Sequence, residues 1–483
     1  MAFIDSTVVN VALPALQANF HATVVGVQWV VESYGLFLAA LILVGGSLGD
    51  LFGRRRIFVI GVAIFALASV GCGLASDIQQ LLLARSIQGV GAAFLVPGSL
   101  AIISATFDGE SRGRAIGTWS GFTAITTAAG PVVGGWLVEH ASWRWAFFVN
   151  VPLAIAVIAI SLRRMPESRD PAVGHIDWLG TLLATLGIAG LVKGFIDSAH
   201  MGWHHPLVFG SLLVGPACLF LFILVEKAAA WPIVPPALFR SRSFTGATLL
   251  TFFLYAALGI LFFLFPLNLI QVQGYSATAT GAASLPFVLL MFLLSRWSGG
   301  LVAHYGPKLP LMVGPLIAGS GFALMGMTST GHSYWRMFFP PILVLGLGMA
   351  ITVAPLTTVV MTSVDQNRVG TASGINNAVA RVAGVCAIAV VGVIMVNAFS
   401  SYLNHRLAQL PIPSEVIQNI QQDEIRLAGL QGPAGLDPRT SAAIKDAINQ
   451  GFIFGFRVVM LVCAGLSVAS AVAAWVIIPQ KGG

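Results

Sequence analysis

Long apolar stretches separated by short polar segments run through almost the whole chain. Each stretch approaches the about 20 residues that a helix needs to cross the hydrocarbon core of a bilayer. The pattern predicts fourteen transmembrane helices, and an even number places both termini on the same side of the membrane. The predicted spans are residues 1–20, 25–47, 57–76, 80–105, 115–138, 145–163, 176–196, 206–226, 244–270, 277–302, 309–329, 335–360, 372–398 and 451–478.

Composition supports an all-α polytopic membrane protein and excludes an ordinary soluble fold. The chain has 483 residues, 57% apolar and 9% charged, whereas soluble domains carry about 25% charged residues. The net charge of +7 indicates no nucleic-acid partner, because the basic residues lie in short loops beside helix ends. Cytoplasmic loops carry such an excess. Both termini are therefore predicted to be cytoplasmic, in a multi-pass protein of the cytoplasmic membrane.

Neither a metal site nor an enzyme active site is predicted. The four cysteines, Cys72, Cys218, Cys386 and Cys463, lie inside apolar stretches, where free cysteine is typically a packing residue. His200, His204 and His205 have a metal-like spacing in a predicted outer loop, but no carboxylate or cysteine completes a ligand set. The spans contain no nucleophile–base pair. We therefore expect no enzyme, no metal and no cofactor.

An internal repeat predicts the domain organisation. Residues 46–55 resemble residues 299–308, and 89–93 resemble 346–350, at nearly equal separations. The repeat predicts an N-terminal six-helix half at 1–163 and a C-terminal half at 244–483, with two extra helices and linkers at 164–243. Repeated halves are typical of secondary transporters, in which the substrate site lies between them near the membrane midplane.

Three ionisable residues inside spans are the strongest candidates for function: Asp5, Glu32 and Arg85. Charge inside a membrane is costly and by default marks an ion path, a proton relay or a ligand site. A nearby arginine lowers the pKa of a carboxyl group while desolvation raises it, so a conformational change could load and release a proton. Snorkelling of Arg85 and a structural hydrogen bond of Glu32 are the alternatives.

The position of Asp5 is unusual, because only four residues precede it. They supply about 6 Å of helix, which predicts that Asp5 lies near the inner surface. We hypothesise that the true start is upstream or that this form is truncated. If Met1 is the real start, Asp5 is expected to be more hydrated and its coupling role weaker.

Two glycine motifs predict close helix packing. The cytoplasmic turn after span 2 contains glycines that permit close helix approach, and charged residues that can pair and hold a cytoplasmic gate. The alternative is that its arginines only anchor the topology. The residues of this motif are Gly46, Asp50, Gly53, Arg54 and Arg55. The end of span 5 predicts a kinked, close-packed helix, with a purely packing role as the alternative: Gly130, Pro131, Gly134 and Gly135.

Further polar residues are candidates for the substrate cavity. They are Asn10, Gln28, Trp29, Tyr34, Gln88, Gln271, Asn376 and Arg381. Lys193 is expected to pair with Asp197, and Arg296 to snorkel. Residues 399–450 are interpreted as a solvated outer loop, with gating of substrate exit as the alternative; within them, Asp437 and Pro438 predict a helix start.

Together these motifs resemble the major facilitator superfamily, and within it the fourteen-helix drug/proton antiporter family. Residues 5–14, 46–56, 85–89, 130–135 and 143–152 are similar to motifs of that family, and Gln271, Gly274, Tyr275 and Ser276 fit its pattern after span 9. The resemblance implies a monomer in the lipid bilayer that exports hydrophobic, often cationic compounds in exchange for protons. Two departures are Ala303, where an acidic residue is common, and a first helix that lacks residues before Asp5.

The sequence thus predicts proton-coupled efflux by alternating access, energised by the proton gradient. Because charges concentrate in the N-terminal half, we expect that half to carry coupling and the C-terminal half to shape the cavity. The alternatives are a dedicated exporter or proton-coupled importer of one metabolite, and a membrane receptor that binds ligand without transport.

Overall fold

The described part of the chain is helical. The structure, a computed structural model, describes residues 1–480 except 108, 169–176, 230, 231, 233, 235, 332, 365–368, 411, 423–426, 428 and 431–436. Several helical residues have side chains outside the described set, among them the predicted site residue Asp50 and also His200, Arg296 and Ala303. Their predicted roles therefore stay predictions.

The N-terminal group contains seven helices, of which the last two form one interrupted span. They are α1 (Ala2–Asn19), α2 (Val24–Phe52), α3 (Arg54–Leu74), α4 (Ile78–Thr106), α5 (Gly109–His140), α6 (Trp145–Phe148) and α7 (Asn150–Arg164). Side-chain caps define two of the starts: Thr23 accepts a hydrogen bond from the Gly26 amide before α2, and Asp77 accepts one from the Gln80 amide before α4. We call α1–α7 the N-terminal group.

Two helices follow as a separate hairpin, α8 (Trp178–Met201) and α9 (Pro206–Ala228), which pack on each other. The remaining helices form the C-terminal group: α10 (Arg242–Leu267) with a π-turn at Asn268–Val272, α11 (Ala277–Ala283), α12 (Leu285–Gly299), α13 (Leu301–Tyr305), α14 (Lys308–Met325), α15 (Tyr334–Met337), α16 (Phe339–Thr362), α17 (Val369–Leu407), α18 (Ser414–Gln422) and α19 (Pro438–Ile477).

Each group packs mainly within itself, and the two meet along a limited set of helix pairs. α1 contacts α10 and α11, α5 contacts α11 and α12, and α2 packs along α17. The α8–α9 hairpin joins this last pair from the side, because α8 touches both α2 and α17. The predicted domain boundaries near 163 and 244 stay predictions.

Twelve described helical segments are long and apolar enough to span a bilayer. The predicted spans 1–20 and 115–138 correspond to α1 and α5, which are helical but are not among the twelve. The helical membrane fold is confirmed, while the exact number of fourteen spans stays a prediction.

The outer segment 399–450 differs from the expected solvated loop. α17 and α19 contain 39 and 40 residues, and a helix of that length measures roughly 60 Å, twice the hydrocarbon core. Between them, Ile420, Leu427 and Leu430 pack into the main apolar cluster with at most 6% exposure. The described parts of the segment are thus largely helical or packed on the bundle. The predicted helix start is confirmed, because Asp437 caps α19 and Pro438 is its first residue.

Candidate functional site

A buried ion pair joins α1 to α4. Arg85 Nη1 lies 2.6 Å from Asp5 Oδ2, and the two residues are 1% and 0% exposed. α1 and α4 run through the bundle in opposite directions. Arg85 lies only about 10 Å of helix from the start of α4. Asp5 is fully buried in this conformation, while its depth relative to the inner membrane surface stays a prediction.

Hydrogen bonds from two further residues complete the surroundings of the Asp5 carboxylate. Its Oδ1 atom accepts from Gln88 Nε2 at 2.8 Å and from Asn150 Nδ2 at 2.9 Å. Ser69 Oγ lies behind them and accepts from Gln88 at 2.8 Å, while it donates to the Phe65 carbonyl. We call Asp5, Ser69, Arg85, Gln88 and Asn150 the carboxylate cluster.

Arg85 is fixed on all sides. Its Nε atom donates to the Val30 carbonyl at 3.0 Å, and Nη1 also donates to Gln88 Oε1 at 2.6 Å. The guanidinium lies over the Tyr34 ring, 4.3 Å from its centroid, a distance typical of a cation–π contact. The arginine therefore does not snorkel, and it is aimed at Asp5 by contacts with α2 as well as α4.

This arrangement can exchange a proton against a conformational change. In a water-poor interior an ion pair is strong only while its geometry is maintained, because desolvation opposes both charges. The donors of the carboxylate cluster surround the Asp5 carboxylate in the observed geometry. A shift of α1 relative to α4 that broke the pair would leave a buried carboxylate, for which protonation is the least costly outcome.

Glu32 lies apart from this cluster. It is fully buried on α2, and neither of its carboxylate oxygens has a hydrogen-bond partner in the described part of the chain. The same stretch of α2 contacts α17 through Gly35 and Val385 and contacts α4 through Tyr34 and Gly89. The predicted coupling role of Glu32 stays a prediction, and no hydrogen bond among the described residues explains its position.

The turn between α2 and α3 is closed by a glutamate that sequence reasoning missed. Gly53 has φ +112°, a conformation that favours glycine. Glu167 accepts from the Arg55 amide at 3.0 Å and lies 3.7 Å from Arg55 Nε, while the Arg54 amide donates to the Ser168 carbonyl. The turn is thus tied to the segment after α7. Gly46 lies on α2 in ordinary contact with Pro97, and the Asp50 side chain lies outside the described residues.

The glycine–proline motif of α5 contacts both groups. A Cβ atom on Gly130 would overlap Thr7, and one on Gly134 would lie 2.7 Å from Val8, so this face packs tightly on α1. On the adjoining face, a Cβ on Gly135 would overlap the Ala277 backbone of α11. A Cβ atom on Gly281 of α11 would likewise overlap the Pro131 carbonyl. α5 therefore connects the helix that carries Asp5 to the C-terminal group.

Three hydrogen bonds join the groups at the predicted outer end. Gln17 of α1 accepts from Gln271 of the π-turn at 2.9 Å. Glu139, at the end of α5, accepts from the Thr278 hydroxyl at 2.5 Å and from its backbone amide at 3.3 Å. Gln271 thus takes part in the contact between the groups, and its predicted role in the substrate cavity stays a prediction.

The other predicted cavity residues have different environments. Gln88 belongs to the carboxylate cluster and is fully buried, and its predicted role in the substrate cavity stays a prediction. Trp29 packs in the apolar cluster between α2, α8 and α17. Asn10 is partly buried on α1, and its Oδ1 atom has no hydrogen-bond partner among the described residues. Tyr34 is buried and its hydroxyl lies 3.4 Å from the Ala2 carbonyl.

Three candidates remain where α2, α10 and α17 meet. Gln28 lines a narrow cavity of about 10 Å³ together with Gly392, room for roughly one water molecule. Asn376 accepts from Thr251 of α10 at 2.7 Å. Arg381 is half-buried on α17. This region is closely packed in the observed conformation.

Some functional candidates could not have been singled out from sequence. Ser69 and Asn150 are single polar residues inside apolar helices, and Glu139 and Glu167 lie at helix ends among other charged residues. Isolation within an apolar span is the signal that could have indicated Ser69. In the described part of the chain, no group of three or more His, Cys, Asp or Glu side chains is arranged to hold a metal ion. Lys193 does pair with Asp197, as predicted.

Comparison with known proteins decides the family. The model of the Major Facilitator Superfamily matches residues 1–388, most of the chain. The chain belongs to the major facilitator superfamily. This transporter is 33% identical over 485 residues to the Multidrug resistance protein Stp of Mycobacterium tuberculosis, with 98% of this chain and 89% of the relative covered.

Two other relatives of the transporter are also named for drug resistance. It is 31% identical to the Tetracenomycin C resistance and export protein of Streptomyces glaucescens, covering 98% of this chain and 88% of the relative. It is 31% identical to the Puromycin resistance protein pur8 of Streptomyces alboniger, covering 100% of this chain and 89% of the relative. The transporter is thus a multi-pass membrane protein of a family that moves small molecules.

Solved transporters share its fold. A bacterial homolog of the human lysosomal transporter Spinster, inward-facing and unoccupied, superposes with a TM-score of 0.65 at 18% identity, covering 99% of this chain and 95% of that chain. The inward-open xylose transporter XylE from E. coli gives 0.58 at 13% identity, covering 100% and 94%. At these identities the likeness concerns the fold alone.

Proposed function

We propose that this transporter exports hydrophobic compounds, including cationic ones, from the cytoplasm in exchange for protons. The observation that carries the proposal is the fully buried pair of Asp5 and Arg85, 2.6 Å apart. Asp5 lies on α1, which packs tightly against α5. The names of the relatives, which refer to multidrug, tetracenomycin C and puromycin resistance, support drug-like cargo. The protein lies in the cytoplasmic membrane with both termini in the cytoplasm.

Coupling follows from the geometry of α1 and α5. A proton from the outside neutralises Asp5 and removes its attraction for Arg85, which frees α1 to move relative to α4. Because α5 packs on α1 through Gly130 and Gly134 and on α11 through Gly135, this movement changes the contact between the groups at the outer end. Loss of the proton to the cytoplasm restores the pair and resets the cycle.

Glu32 is a second ionisable group available to this cycle. A buried carboxylate without a hydrogen-bond partner is costly when ionised, so it either holds a proton or binds a cation. We propose that it binds the cationic group of a substrate or a second proton.

The available energy is sufficient for useful export. One proton that moves through 100 mV supplies about 2.3 kcal/mol, and one pH unit adds about 1.4 kcal/mol. Since 1.4 kcal/mol corresponds to tenfold, their sum supports a substrate gradient of several hundredfold per proton.

An efflux assay in cells tests this function. Cells that express the protein are loaded with ethidium, and dye loss is followed with and without a protonophore. We expect faster loss than in cells without the protein, and a return to the background rate when the gradient is collapsed. Efflux that persists without the gradient would refute proton coupling, and gradient-driven accumulation of dye would instead support import.

A further inference from the structure

The α2–α10–α17 junction contains a cation that the carboxylate cluster does not use. Arg381 lies on α17 roughly 13 Å of helix from the nearer end of the predicted span 372–398. That distance is close to half the thickness of the hydrocarbon core, so its side chain is too short to reach either surface. An arginine at this depth indicates a ligand or ion pathway.

Contacts between α10 and α17 define what lies beside Arg381. The two helices run in the same direction, and the Thr251 hydroxyl donates to Asn376 at 2.7 Å. Further along, a Cβ atom on Gly259 would lie 2.9 Å from the Gly384 Cα atom. Tyr255 and Arg381 lie between these two contacts, at the same level along the helix pair.

α2 of the other group closes the junction. Gly35 packs against Val385, about one helical turn along α17 from Arg381. Arg381 thus lies near the midplane, where α10 and α17 meet α2 of the other group, at the level of Tyr255.

We propose that Arg381 and Tyr255 bind an ionised oxygen of planar aromatic substrates, such as a phenolate, an enolate or a carboxylate. A guanidinium offers paired N–H donors that match a carboxylate, and such charge-assisted bonds are strong away from bulk water. Tyrosine adds a flat apolar face and a hydroxyl donor. The site would extend the cargo beyond cations, and as a statement about substrate it rests on the proposed export function.

Two xanthene dyes of similar shape and opposite charge provide the test. Fluorescein carries acidic oxygens, and rhodamine 123 is a cation. Binding of each dye to the purified full-length protein in detergent is measured by fluorescence polarisation, without a proton gradient. We expect Arg381→Gln to weaken fluorescein binding about tenfold or more, while rhodamine 123 binding changes by less than about twofold. Arg336→Gln, at an exposed arginine of α15, should change neither affinity.

Because binding is measured without transport, a failure of proton-coupled export and a failure of this site are distinguishable. Absence of fluorescein binding to the unaltered protein, or equal weakening of both dyes by Arg381→Gln, would overturn the proposal. If Arg381→Gln does not fold, Arg381→Lys replaces it. Lysine keeps the charge without the paired donors, so the ratio of fluorescein to rhodamine affinity should fall by a smaller factor, and an unchanged ratio would also overturn the site.

Discussion

At the scale of single residues, the carboxylate cluster contains the chemistry. Asp5 accepts hydrogen bonds from Gln88 and Asn150 in addition to its ion pair with Arg85. These contacts hold the carboxylate in the observed geometry. In the proposed function, this one side chain links the proton to the conformation.

Replacement of Asp5 by asparagine separates charge from shape. Asp5→Asn preserves the size of the side chain but cannot be ionised, so we expect it to abolish proton-driven efflux while the protein still inserts. The measurement is dye retention in cells that contain equal amounts of inserted protein. Asp446→Asn, an exposed carboxylate on α19, should retain efflux. Undiminished efflux in Asp5→Asn would exclude Asp5 from coupling.

The sequence predicted the charged residues of the site better than it predicted the residues that contact them. Asp5, Glu32 and Arg85 stand out because charge is rare in apolar spans. Helical periodicity relates Arg85 to Gln88, but it does not indicate that Asp5, 80 positions away, meets both. Nor does it distinguish Gln88, which binds Asp5, from Gln28, which lines a cavity.

At the scale of helices and turns, two glycines of one motif have different tasks. Gly53 adopts φ +112° and its Cβ would lie 2.7 Å from a Glu167 oxygen, whereas a Cβ on Gly46 would only touch Pro97 at 3.8 Å. We expect Gly53→Ala to destabilise the protein by about 1–3 kcal/mol and Gly46→Ala to have little effect. Thermal unfolding of the purified variants measures this, and equal melting temperatures would contradict the assigned backbone role.

The α5–α11 contact gives a second prediction at this scale. Gly135→Val would drive a side chain into the Ala277 backbone and separate the two groups at the outer end. We expect normal insertion and a loss of efflux. Gly210→Val on α9 is the matched control, because a Cβ at Gly210 meets nothing within 4 Å. Equal efflux by the two valine variants would show that this contact is not needed for transport.

Helix lengths show the limit of hydropathy as a guide. Most predicted spans coincide with helices because a bilayer requires long apolar segments with satisfied backbone groups. α17 and α19 continue far beyond their predicted spans, since helix outside the membrane needs no apolar composition. The burial of Leu427 and Leu430 likewise depends on distant helices rather than on local sequence.

At the scale of the whole molecule, hydrogen bonds hold the predicted outer end closed, and one of them has a defined pH dependence. Hydrogen bonds from Thr278 lower the pKa of Glu139, and His140 acts in the same direction. A carboxyl group whose pKa is lowered in the closed state favours closure when ionised. That contribution is complete above the ordinary glutamate pKa of about 4.3 and is lost as pH falls through the lowered pKa.

Closure of the outer end should therefore not depend on external pH between about 8 and 5, and should weaken only below about 4. Spin labels at cysteines introduced at the ends of α5 and α11, in a variant without native cysteines, report the distance. Glu139→Gln should remove the acid-induced step. An opening centred near neutral pH would show that another group controls the outer end.

Exchange of protons for substrate is the central claim of the proposed function. The most direct measurement uses proteoliposomes that contain the purified transporter and a pH-sensitive dye in the lumen. Addition of ethidium outside, without an imposed gradient, should drive substrate inward and protons outward, so the lumen should become alkaline in the unaltered protein. Asp5→Asn should show no such change. Substrate uptake by the unaltered protein without any change of luminal pH would contradict proton-coupled antiport.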